Sequence, residues 1–116
     1  MSVSLAASGM VSLNAAMATG VGTSYKVTGC CKFGLQVVLG SGAPATAVVL
    51  LEGTNDTNAD DTKNHWVTLA TWDVTTPQTS GDILFAVDKP CAKIRANCTT
   101  LSLGANKTVT ATLSAV

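Results

Sequence analysis

The chain has 116 residues, 47% hydrophobic and only 12% charged, with seven basic and seven acidic side chains that cancel to a net charge of zero. That length holds one domain and one core, the apolar content is far from that of a disordered chain, and no basic excess is present to neutralise phosphates, which argues against a nucleic-acid partner. With a mean hydropathy of +0.35, much of the surface must be Thr, Ser, Asn, Gly and Ala, a composition weakly protected against association, so an assembled native state is expected.

In chain order, Val3 and Leu5 alternate with serines, and residues 1–10 read as an extended N-terminal segment of a single domain spanning 1–116. Val11 and Leu13 alternate in the same way, and Leu13–Ala18 is the one place that could hold a helical turn before Gly20 and Gly22. Tyr25 and Val27 form a short strand. Cys31, Phe33, Leu35, Val37 and Leu39 share one face of a long strand, with Lys32 and Gln36 on the other, up to the turn Gly40-Ser41-Gly42-Ala43-Pro44. Ala47–Leu51 is apolar on both faces, as in a central strand. It runs into Glu52-Gly53-Thr54-Asn55-Asp56, a polar loop, and then a strand opening on His65-Trp66 that reaches Trp72. Ile83–Val87 is a further strand. Ala92, Ile94, Ala96 and Cys98 alternate with Lys93, Arg95 and Asn97, and Val109, Ala111 and Leu113 oppose Thr108, Thr110 and Thr112 at the end. Eight to nine short strands with recurring turn signals predict an all-β fold, a single antiparallel β-sandwich or jelly roll. Both ends of the chain are strand-like, so either could occupy a sheet edge.

No run of about 18 apolar residues is present to span a membrane as a helix, and residues 1–20 lack the charged and compact apolar regions of a signal peptide. The sequons at Asn55, Asn97 and Asn106 are accordingly read as chance. Of the four cysteines, adjacent Cys30 and Cys31 point to opposite faces of a strand and are poor partners for one another. Cys91 and Cys98 lack metal-ligand spacing, and His65 is the only histidine. Reduced structural thiols are expected, with one or two disulfides as the alternative.

The loop at 55–61 has the oxygen density that calcium favours, but not the spacing or closing Glu of an EF-hand, and Asn and Asp there are accounted for by turn chemistry. His65 lacks a nucleophile motif, and Asp73, Asp82 and Asp88 stand at strand ends where Asp is common. No catalytic residue, metal site or cofactor is assigned, and the chain is read as a non-enzyme. Trp66 and Trp72, six apart, are expected on one face, as interface anchors or as a sugar-stacking platform. Lys93 and Arg95, with Lys89 nearby, form a small basic patch expected on a solvated outer face, available to an acidic neighbour.

The segments Leu13-Asn14-Ala15, Ala18-Thr19-Gly20-Val21-Gly22-Thr23, Leu51-Glu52-Gly53-Thr54-Asn55-Asp56, Trp66-Val67-Thr68-Leu69-Ala70, Ile94-Arg95-Ala96-Asn97-Cys98 and the Thr/Val-rich last strand resemble small β-sandwich structural virion proteins of tailed bacteriophages, over residues 11–114. The loop between Asp56 and Trp66 is longer than the turn in that pattern, which makes it a candidate for a contact specific to this chain. The resemblance implies a capsid decoration or cement protein, made in the host cytoplasm and placed on the capsid surface of the virion. Its partners would be the major capsid protein and copies of itself, as a dimer or trimer. The alternatives are a tail, baseplate or fibre module that binds a host glycan, and a non-viral adhesive or carbohydrate-binding module, which would need secretion. The expected interface residues are Val3, Leu5, Met10, Asn55, Asp56, Asp60, Asp61, His65, Trp66 and Trp72.

Overall fold

A computed structural model describes residues 7–27, 29–30, 32–39, 46–56, 58, 65–74, 83–87, 91–102 and 108–116. The described residues form nine strands: β1 (Ala7–Ala16), β2 (Gly20–Val21), β3 (Tyr25–Lys26), β4 (Lys32–Leu39), β5 (Thr46–Thr54), β6 (Val67–Val74), β7 (Ile83–Val87), β8 (Lys93–Ser102) and β9 (Val109–Ala115). One sheet has the order β1-β9-β4-β7. The other has β2-β8-β5-β6, with β3 also on β8, and every pairing is antiparallel. β2 and β3 act as one interrupted strand. Counted so, the pairs β5–β6, β4–β7, β2/β3–β8 and β1–β9 nest inside one another, first strand with last, which is the jelly-roll arrangement of two Greek keys.

The period-two pattern builds the core. Phe33, Leu35 and Val37 of β4 are fully buried while Lys32, Gln36 and Val38 are exposed. β9 alternates buried and half-buried residues along its length. Facing them from the second sheet are Ala47, Val49 and Leu51 of β5, Ile94, Ala96 and Cys98 of β8, and Trp72 of β6. The apolar inner faces of the two sheets thus meet as the alternation requires.

Three sequence expectations are corrected here. Leu13–Ala16, an Ala-rich stretch with helical propensity, lies in β1, because pairing with β9 and burial of Leu13 override a weak local preference. The pairing is irregular there. Ala15 adopts a left-handed conformation (φ 49°), and its N–H donates to the Thr110 hydroxyl at 3.1 Å, so the bulge leaves no idle donor. The last strand, β9, sits inside its sheet between β1 and β4 rather than at an edge. Part of the stretch read as an N-terminal extension, Ala7–Met10, belongs to β1; residues 1–6 lie outside the described residues.

One side of the sandwich is stitched shut around Ser12. Its hydroxyl donates to the Thr23 carbonyl at 2.7 Å and accepts the Ala96 N–H at 2.8 Å, filling the gap between β2 and β3 in the β8 ladder. Its carbonyl accepts the Thr23 N–H, and the Gly22 N–H reaches the Ala96 carbonyl, both at 2.8 Å. Gly22 is obligatory in this corner, since a Cβ there would lie 2.2 Å from the Ser12 carbonyl oxygen. The Tyr25 hydroxyl adds a bond to the Val11 carbonyl.

Candidate interaction surface

The β5–β6 hairpin carries most of the residues singled out from sequence, and a bulge in it decides where they point. Leu51 pairs with Ala70, but Glu52 pairs with Thr68, so Leu69 is extra. An extra residue inverts the alternation beyond it. The two tryptophans therefore do not share a face: Trp72 is buried in the core, while Trp66 lies half-buried on the outer face of the five-stranded sheet. Trp72, expected at an interface, is thus placed in the core opposite Val49.

Trp66 lies against the guanidinium of Arg95, 4.3 Å from its ring centroid. Arg95 is no part of a solvated basic patch. Its Nε donates to Glu52 Oε1 at 2.8 Å, with only 7% of the Arg95 side chain and 10% of the Glu52 side chain exposed. Asn97 Nδ2 donates to the other carboxylate oxygen at 3.2 Å. The three residues face one another because Glu52 and Arg95 are register partners on β5 and β8, and Asn97 follows Arg95 by two on the same face. Sequence reasoning allowed Arg95 an acidic neighbour but missed Glu52. The available signal was a lone carboxylate between Leu51 and Gly53 at the end of an apolar run, paired by nested-hairpin topology with the Lys93-Arg95-Asn97 face.

At the hairpin's open end, local turn chemistry predominates. The Asp56 N–H donates to Thr54 Oγ1 at 3.0 Å, and the Asn58 N–H to Asp56 Oδ1 at 2.9 Å, both side-chain turns of the kind Thr and Asp favour. His65 Nδ1 contacts Asp56 Oδ2, closing the base of the loop with an ion pair when the imidazole is protonated. His65 and Asn55 are exposed, and Asp56 is half-buried. Val3, Leu5, Asp60 and Asp61 lie outside the described residues, and Met10 is half-buried against the core.

On the inner side of the same hairpin is a cleft of about 300 Å³, lined by Gly53, Thr54, Val67, Leu69 and Cys91 among others. Gly53 forms its floor, where a Cβ would come 2.8 Å from both Cys91 Sγ and Leu69 Cδ1. Val67 at its rim is 63% exposed. Cys91 and Cys98 are free thiols and Cys30 is buried in the core; Cys31 lies outside the described residues. Burial pushes the Cys91 thiol pKa up, against smaller opposing effects of backbone hydrogen bonds with Thr54 and Lys93. Burial likewise raises Cys98, with Thr100 opposing. Both therefore stay protonated and poorly nucleophilic at neutral pH. Among the described residues no cluster of three metal-ligating side chains occurs. What the surface offers is an apolar cleft, a pinned tryptophan and a polar loop base on one hairpin, an arrangement suited to binding. No protein-family model and no curated protein matches the chain.

Proposed function

We propose that the chain is a non-enzymatic structural virion protein that decorates or cements a bacteriophage capsid, binding coat subunits and copies of itself on the capsid surface. The observation that supports this reading best is the nested jelly roll, an architecture that recurs in viral capsid domains. That support is one of fold-level analogy. The hairpin at β5–β6 adds a physical reason: it gathers an apolar cleft, Trp66 and a polar loop base at one end of a charge-poor sandwich. The mode of action is mass action. A protein that binds only the mature shell stabilises it, by about 2.7 kcal/mol per site when present at about 100 times its dissociation constant.

A second reading, a tail, baseplate or fibre module for a host glycan, draws on Trp66. Arg95 holds one face of the ring, and Asn55, Asn58 and His65 stand exposed close by in sequence or across the hairpin. Copy number in purified particles separates the two. Decoration requires a number near that of the coat protein, and shells lacking the chain should rupture more readily on heating or osmotic shock. A handful of copies, with glycan binding abolished by Trp66→Ala, would sink the decoration reading.

A further inference from the structure

A four-plus-five sandwich has four sheet edges, and they are treated differently. β1 and the β2/β3 edge close on one another through Ser12, Thr23, Tyr25 and Val11. On the opposite side β7 and β6 also approach one another, and β6 is the longer, at eight residues against five. Among the described residues β6 pairs only with β5. Edges are normally blunted with Lys, Pro, inward charges or a bulge; Val67–Val74 contains no Lys, Arg or Pro, its only charge is Asp73, and its bulge lies near its start, at Leu69. The bulge at Leu69 confines regular strand geometry to Ala70–Val74, whose middle residue is Trp72.

We propose that Ala70–Val74 of β6 pairs antiparallel with the same edge of a second copy of this chain, about a two-fold axis at Trp72. The charge pattern favours a second copy in this register. A two-fold at Trp72 sets Thr71 opposite the partner's Asp73, twice per interface. Thr71 and Asp73 are both exposed on the outer face, so each carboxylate meets a hydroxyl donor, whereas centring the pair on Asp73 would oppose two carboxylates. The zero net charge leaves no long-range repulsion between copies. Joining the edges merges two five-stranded sheets into one ten-stranded sheet across the dimer. The contact is small, so the association is weak, of the kind made effective where many copies are held side by side. It stands without the decoration reading, because it belongs to the chain alone.

Sedimentation velocity on the purified chain, from micromolar to millimolar concentration, tests it. The expected result is a reversible monomer–dimer equilibrium. Thr71→Asp sets carboxylate against carboxylate and raises the dissociation constant roughly tenfold, while Thr71→Lys supplies an opposite charge and lowers it roughly threefold. Circular dichroism checks whether each variant folds. If Thr71→Asp does not fold, Thr71→Lys decides alone, and unchanged or weaker association overturns the proposal. A chain that stays monomeric throughout, or variants that shift association in the same direction, also overturn it. Loss of capsid binding with the dimer intact would count against decoration and not against this pairing.

Discussion

Glu52→Gln removes one charge from an ion pair that has almost no access to water. The carboxylate accepts from Arg95 at 2.8 Å and Asn97 at 3.2 Å, and Trp66 covers the guanidinium. At an effective dielectric of about 20, unit charges about 4 Å apart attract by roughly 4 kcal/mol. Breaking a buried pair from one side typically costs about 3–5 kcal/mol, because the remaining charge is stranded. With a urea slope of about 1.5 kcal/mol/M, the unfolding midpoint should fall by about 2–3 M. Tryptophan fluorescence reads the transition, since Trp66 lies on Arg95 and Trp72 in the core. Replacing both partners with apolar residues, Glu52→Leu with Arg95→Met, strands no charge and should return stability to within about 1 kcal/mol of the parent. A Glu52→Gln cost below about 1 kcal/mol, the range of surface pairs, would falsify the claim that the pair is buried and coupled.

Gly22→Ala forces a Cβ to 2.2 Å from the Ser12 carbonyl and should lower stability by about 1–3 kcal/mol, seen as a depressed melting temperature. Ser12→Ala strips the Ala96 N–H of its acceptor and the Thr23 carbonyl of its donor; a loss of about 1–3 kcal/mol is expected in chemical denaturation. His65→Ala, which removes a 57%-exposed partner of Asp56, should change stability by less than about 1 kcal/mol. The folded chain holds the Cys91 and Cys98 thiols above their ordinary pKa, so it binds protons that the unfolded chain has released. Their contribution to stability is complete below the ordinary thiol range and is lost as pH rises through the raised values, so denaturation midpoints should fall at alkaline pH. Substituting both with Ser should flatten that fall.

The layered fold was legible because alternation carries most of its information. Phe33, Leu35, Val37, Ile94, Ala96 and Cys98 point where period two places them. What escaped the sequence were departures from period two. The extra residue at Leu69 turns Trp66 and Trp72 to opposite faces, and no residue type in Val67-Thr68-Leu69 announces a bulge. The β1 irregularity at Ala15 is equally silent, and there Ala-rich composition pointed towards a helix. Arg95 looked like surface because charged residues usually are; its burial depends on Glu52, 43 positions away, becoming its register partner. The turn chemistry of Thr54, Asp56 and Asn58 was readable because it is local.

The nesting of strand pairs has a kinetic consequence. β5 and β6 can zip first, being joined directly, and each outer pair then closes a longer loop at an entropic cost that grows only slowly with length. The cost in time is larger, since folds dominated by distant pairings form slowly. β9 comes last in the chain yet lies between β1 and β4, so the four-stranded layer has no continuous ladder until that strand has left the ribosome. During synthesis β4 waits with an unpaired side, and β1 without the one ladder partner it has among the described residues. The two layers therefore mature at different times: the five-stranded one can form as soon as β8 emerges, and only then can the other close over its apolar face.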